Sequence, residues 1–116
     1  MPGAGVCLLQ RQACWLMLTL AASNAVVEAI IASGGVGALL AAMVNCPRDA
    51  SVQHFGLWAL TNLGWADAKA RAHVRQQGAV EACRAAIEQF PKHRGVVEKA
   101  NLCILQLAAD SEDRPP

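Results

Sequence analysis

The sequence predicts an all-α protein built as a helical solenoid, and three observations lead to that prediction. The 116 residues are 54% apolar but only 4% aromatic, so alanine, leucine and valine must fill the core, which suits close helix packing. All five prolines lie outside the segments with helical apolar spacing, at positions 2, 47, 91, 115 and 116. The apolar segments also recur along the chain at a fixed interval.

The interval between repeats is 43 to 44 residues. Residues 10–21 align with residues 53–64, and a glutamine, a tryptophan and a leucine coincide in that alignment. A further step of 44 residues brings Val52 onto Val96 and Leu63 onto Leu107. A repeat of this length with helical spacing inside each unit is typical of α-solenoids.

Within the repeats, the residues that typically begin or end helices predict seven of them. Gly34-Gly35 and Gly78 are expected to break short helices from the helices that follow them, and Gly64 to close the central helix. Asn24, Asp67 and either Asp49 or Ser51 are the expected N-caps. The predicted helices cover about residues 6–22, 24–32, 35–45, 51–64, 67–76, 79–89 and 96–109.

These helices predict one domain, residues 1–109, followed by a disordered tail over residues 110–116. The domain would contain a lone third helix at 6–22 and two complete repeats, 24–64 and 67–109.

The central helix has a second face of unusual composition. One stripe is apolar and is expected to face the core; it consists of Val52, Gly56, Ala59, Leu60 and Leu63. The other stripe, roughly 200° around the helix, is made of His54, Trp58, Thr61, Asn62 and Trp65. A surface helix normally carries charges there, so this face is the candidate functional surface.

Charge excludes some classes of partner. The net charge of +1 gives no field strong enough to hold nucleic acid. Residues 1–47 carry only Arg11 and Glu28, so this part is expected to pack on something outside the chain, with an exposed apolar surface as the alternative. Glycines and Pro47 interrupt the uncharged stretches, which argues against a membrane span. Residues 11–23 loosely imitate a signal peptide, but the run matches the later repeat and favours a helix.

The amino-acid sequence contains no recognisable catalytic or metal-binding motif. The five cysteines are odd in number and lack CxxC spacing, so they are expected to be buried and reduced, with disulfides or metal as the alternative. The three histidines have no partner at i+3 or i+4, and no zinc motif results. With no nucleophile–base pair and no phosphate loop, the sequence predicts neither enzymatic activity nor a cofactor.

Residues 34–40, Ser51-Val52-Gln53 and residues 57–64 together resemble an armadillo repeat. The resemblance covers about residues 6–109. Periodicity alone also fits HEAT repeats, but the glycine turn and the Ala-Leu-Thr-Asn-Leu run favour the armadillo family. The resemblance implies a right-handed superhelix whose third helices line a concave groove for an extended segment of a partner protein.

The resemblance also implies the residues of that groove. They would be Arg11, Trp15 and Thr19, then His54, Trp58 and Asn62, then Glu98, Leu102 and Gln106. The Trp58–Asn62 pair is similar to the tryptophan–asparagine ladder of importin-α-like grooves, where the amide holds a peptide backbone and the indole contacts a side chain. Only the central unit has both residues, and the flanking charges are mixed, so a nuclear-import role is not supported.

The functional expectation is a non-catalytic protein interaction module in the cytoplasm, with the nucleus as an alternative. Its partner would be a protein or extended peptide, with no nucleic acid and no membrane. A second hypothesis makes the chain a piece of a longer solenoid, or lets it self-associate through its amino-terminal end. A third makes it an accessory part of a larger kinase or ubiquitin ligase. Trp15 and Trp58 packing between repeats is the alternative to a groove.

Overall fold

The structure is a computed structural model that describes residues 4–110. These residues form seven helices and no strand, so the prediction of an all-α protein is confirmed. The helices are α1 (Ala4–Leu20), α2 (Asn24–Ala32), α3 (Gly35–Asn45), α4 (Ala50–Gly64), α5 (Ala68–Gln76), α6 (Ala79–Gln89) and α7 (Arg94–Ala108).

Two consecutive units have the same internal plan. In each, a helix of 9 residues is followed by one of 11 and one of 15. The break between the first two helices is a glycine in the left-handed region, Gly34 (φ 81°) or Gly78 (φ 100°), a conformation that a Cβ atom disfavours. The long helix of each unit begins at an equivalent side-chain cap.

That cap is Asp49 in the first unit and His93 in the second. A carboxylate oxygen of Asp49 accepts from the Val52 N–H at 3.0 Å, and Nδ1 of His93 accepts from the Val96 N–H at 3.2 Å. Both therefore satisfy one of the N–H groups that a helix start leaves unpaired. Because His93 caps α7, this helix begins at Arg94, two residues before the predicted start.

The hydrophobic core is centred on α4, which packs between α1 on one side and α7 on the other and also contacts α3 and α5. Its apolar stripe is fully buried, as are the leucines and valines of the same helix that meet the neighbouring helices. These fully buried side chains include Val52, Leu57, Leu60 and Leu63. The burial of large aliphatic groups here is the main source of stability of the fold.

Other predicted boundaries also differ from the structure. The N-cap of α2 is Ser23 and not Asn24, and its side chain makes no capping hydrogen bond. Helix α1 spans Ala4–Leu20, two residues earlier at each end than predicted. Asp110, assigned to the disordered tail, forms an ion pair with Arg71, whereas residues 111–116 lie outside the described residues.

The cysteine prediction is wrong for two of the five residues. Cys7 and Cys46 form a disulfide, with Cα atoms 5.8 Å apart, a separation typical of such bonds. The packing of α1 against α3 brings Cys7 beside the turn that follows α3, a proximity that spacing in the sequence does not reveal. The other three, Cys14, Cys83 and Cys103, are free and buried, as predicted.

Membrane-spanning length is not reached by any single helix within residues 4–110. Helices α2 and α3 satisfy the length and composition of a span only when taken together, and they meet at 76°.

Candidate functional site

The three long helices α1, α4 and α7 lie side by side, and their aromatic residues meet on one surface. Trp15 of α1 contacts Phe55 of α4 edge-to-face, with ring centroids 5.6 Å apart. On α4 the His54 ring stacks on Phe55 at 6.0 Å and on Trp58 at 5.9 Å. His93, before α7, lies 6.1 Å from His54. We call these five residues the aromatic row.

The aromatic row is anchored in the core but remains accessible. Phe55 and Trp58 are partly buried and pack against the hydrophobic core, which fixes their positions. Trp15 keeps 49% of its surface exposed. Rigid aromatic side chains that are half exposed contribute much contact area to a partner at little entropic cost. The row therefore has the composition of a protein-binding surface.

Lys99 of α7 covers part of the row. Its ammonium nitrogen lies 4.5 Å from the centroid of the Trp58 ring, which is within the range of a cation–π interaction. This contact links α4 to α7, and the charge of Lys99 also faces the surface. This contact extends the row across the third long helix, where the sequence has no aromatic residue at the position equivalent to Trp58.

Two ion pairs neutralise other charges on this side. Arg11 contacts the Asp49 carboxylate at 3.0 Å, and Arg94 contacts Glu98 at 2.8 Å. Burial alone would raise the pKa of Asp49, but the Val52 N–H and the Arg11 guanidinium outweigh it and hold the pKa below its usual value. Arg11 and Glu98, both predicted groove residues, are therefore already paired.

The surroundings of His54 favour the neutral form of its imidazole. Burial lowers the pKa of its imidazole, and the neighbouring His93 and Lys99 lower it further. Lys99, which lies beside His54, contacts an indole ring rather than a carboxylate.

The side-chain amides of Asn62 and Gln106, predicted to contact a peptide, form hydrogen bonds within the protein. Asn62 Nδ2 donates to the Leu18 carbonyl of α1 at 3.0 Å, and Gln106 Nε2 donates to the Thr61 carbonyl of α4 at 2.9 Å. Leu18 and Thr61 are equivalent in the repeat. Gln106 is also buried, at 8% exposure, so both amides use a donor to join neighbouring long helices.

The last two predicted groove residues differ from each other. Thr19 donates its hydroxyl to the Trp15 carbonyl of its own helix at 2.8 Å and is exposed. Leu102 of α7 is 39% exposed and offers an apolar side chain at the position equivalent to Trp58. The structure therefore brings Trp15, His54 and Trp58 together, while Asn62 and Gln106 lie between helices.

Sequence reasoning missed Phe55 and His93, and it placed Lys99 only among the charges that flank the predicted groove. Phe55 directly follows His54 but belongs to neither stripe of the central helix, so a two-face description left it out. His93 precedes the predicted start of α7, where only its role as a cap could have placed it beside His54. Lys99 comes directly after Glu98, and its reach to Trp58 depends on the spacing between α4 and α7.

The buried thiols and the clefts offer no second site of comparable composition. Burial raises the pKa of Cys14 to about 11, which suppresses the reactive thiolate. Two open clefts of about 420 and 560 Å³ lie between α2 and α5 and between α3 and α6, away from the aromatic row. No group of three metal-ligating side chains occurs among the residues that the structure describes.

Comparison of the chain with known protein families, with curated proteins and with solved structures found no match. The site must therefore be interpreted from its own geometry.

Proposed function

We propose that this chain is an armadillo-type helical solenoid that acts as a non-catalytic interaction module, binding an extended segment of a partner protein. The observation that carries the proposal is the aromatic row, which runs across neighbouring long helices and is partly exposed although Phe55 and Trp58 pack against the core. The repeated unit plan supports the solenoid architecture. An extended segment fits this surface better than a compact ligand, because the row is long and is not a cavity.

The charge of the surface favours a partner segment with acidic residues. Arg11 and Glu98 are neutralised by their ion pairs, while Lys99 lies on the Trp58 ring. A carboxylate of the partner can pair with Lys99 without displacing it from the indole. Apolar side chains of the same segment would then pack on Trp15 and Phe55.

The division of roles differs from an importin-α-like ladder. Because Asn62 and Gln106 donate to carbonyls of neighbouring helices, we assign affinity to the aromatic row and not to amide contacts with the peptide backbone. Such a surface would select segments by their apolar and acidic side chains.

Selection from a random peptide library displayed on phage tests this proposal. Enriched peptides should combine acidic and apolar residues, and Trp15→Ala or Trp58→Ala should weaken their binding by about 1–3 kcal/mol. Trp65→Ala is the matched control, because Trp65 is 59% exposed but lies outside the row. Circular dichroism establishes that each variant is folded.

Two results would contradict the proposal. One is the failure of any peptide to be enriched, and the other is an equal loss of binding in Trp65→Ala. Reversal of the charge at Lys99 sharpens the test, since selection on Lys99→Glu should enrich basic rather than acidic peptides.

A second candidate function is structural: the chain would serve as a section of a larger solenoid or multidomain protein, or would self-associate. The apolar outer face of α1 favours it. Val6, Leu8, Leu9 and Leu16 are all exposed on that helix, and contiguous exposed apolar surface usually marks an interaction site. An accessory role beside a kinase or ubiquitin ligase, and a cytoplasmic or nuclear location, stay predictions.

A further inference from the structure

Helix α1 exposes a row of apolar side chains on the side away from α4. Its members are spaced three and four residues apart, as in the contact line of a two-helix coiled coil. Leu9 and Leu16, near the middle of the row, are 72% and 58% exposed. We call this row the α1 leucine face; it consists of Val6, Leu9, Ala13, Leu16 and Leu20.

The repeat shows that the corresponding positions are normally covered. The same face of α4 is fully buried, and Gly56 there contacts Met43 of α3. The equivalent residues, in pairs, are Leu9 and Val52, Ala13 and Gly56, Leu16 and Ala59, and Leu20 and Leu63. A partner for the α1 leucine face is therefore expected.

The sizes of the side chains indicate which kind of partner fits. Gly56 and Ala59 let α3 approach α4 closely, since a Cβ at position 56 would lie 2.7 Å from Met43 Sδ. On α7 the same two positions hold Ala100 and Cys103, which are fully buried, whereas α1 holds Ala13 and the larger Leu16, which keeps a covering helix further away. The face is thus unsuited to a helix packed as α3 packs on α4, and suited to contact between leucine-rich helices.

A second copy of the chain offers such a helix without electrostatic cost. The only charged side chain of α1 is Arg11, which is paired with Asp49 at 3.0 Å. The four large apolar side chains of the face are 42–72% exposed, and an exposed apolar patch of this kind covers roughly 300–600 Å². Two copies joined by this surface would bury on the order of 1,000 Å², the size at which specific interfaces begin.

We infer that the α1 leucine face is the interface of a symmetric homodimer. The two α1 helices pack antiparallel and cross near Ala13, whose small side chain permits the closest approach. The inference rests on the second candidate function, self-association through α1, and it uses a different surface from the peptide-binding proposal, so either of these two can fail while the other stands.

Sedimentation equilibrium of the full chain between about 1 and 100 μM tests the inference. The wild type should be dimeric at the upper concentrations. Leu16→Glu, which buries a carboxylate twice in the dimer, should raise the dissociation constant by about 100-fold or more. Leu105→Glu on α7 is the matched control, because Leu105 is 70% exposed and lies outside the face.

The result that overturns the inference is a wild type that stays monomeric throughout this range. An equal effect of Leu16→Glu and Leu105→Glu would overturn it as well, because association would then follow general apolar exposure. Leu9→Glu serves as a second variant, and far-UV circular dichroism establishes that each variant keeps its helices.

Discussion

The chain contains two versions of one junction between long helices, and exchanging them tests how the repeats are joined. At the first junction Asn62 donates to the Leu18 carbonyl, and at the second Gln106 donates to the Thr61 carbonyl. The longer glutamine packs against Gly64. The residue equivalent to Gly64 at the first junction, where the shorter asparagine is used, is Ala21.

The perturbation is Gly64→Ala. The added Cβ would clash with Gln106 Oε1 and lie 2.6 Å from Gln106 Cδ, so the amide must rotate away. That movement breaks its 2.9 Å hydrogen bond to Thr61 in a buried site, at a cost of about 1–3 kcal/mol. Alanine recovers less than about 1 kcal/mol of helix propensity at the last residue of α4. We expect a net loss of about 1–2 kcal/mol.

The double variant Gly64→Ala/Gln106→Asn recreates the combination found at Ala21 and Asn62. Because asparagine is one methylene shorter, its amide avoids the new methyl group. The two substitutions together should therefore destabilise the protein less than the sum of the single variants, with a coupling of about 1 kcal/mol.

Urea unfolding followed by circular dichroism measures these free energies. Gly37→Ala is the control, because a Cβ there meets only Gln77 Oε1, at 3.9 Å, and helix propensity should stabilise it by up to about 1 kcal/mol. Additivity of the two substitutions within about 0.5 kcal/mol, or no loss in Gly64→Ala, would refute the reasoning.

Three further predictions concern the cysteines and the pH dependence. Replacement of Cys7 and Cys46 by serine should lower the free energy of unfolding by about 3–4 kcal/mol, given their sequence separation of 39; equal urea midpoints for the wild type and the double variant would contradict this. Because the pKa of His54 is lowered in the folded state, the unfolded state binds more protons, and stability should fall as the pH drops through about 6.5. His54→Gln should weaken that slope, and an unchanged slope would contradict the assignment. Cys14, with its pKa raised to about 11, should react with a thiol reagent only at the rate of unfolding in native buffer, which mass spectrometry of the labelled peptide measures.

Helix boundaries were predictable where local chemistry sets them. Helices α2, α3 and α6 begin and end at the predicted residues or directly beside the predicted caps. Gly34 and Gly78 adopt the left-handed conformation that a break between two helices requires, and proline and aspartate mark the other ends. These signals act within a few residues, so a single sequence contains them.

Contacts between helices were less predictable, because periodicity gives the face of a helix but not its distance from the next. The Cys7–Cys46 disulfide joins residues in different helical segments. The Lys99–Trp58 contact depends on how closely α7 approaches α4. The cysteine pairing also bears on localisation, since a disulfide persists in an oxidising compartment and is reduced in the cytosol.

The two amides predicted to contact a peptide join neighbouring long helices. Asn62 and Gln106 occupy equivalent positions, and each donates to a carbonyl of the preceding long helix. At the equivalent position of α1, Thr19 donates within its own helix, so this residue provides no such link to another helix. Residue 19 therefore lacks the side-chain amide that forms this junction at positions 62 and 106.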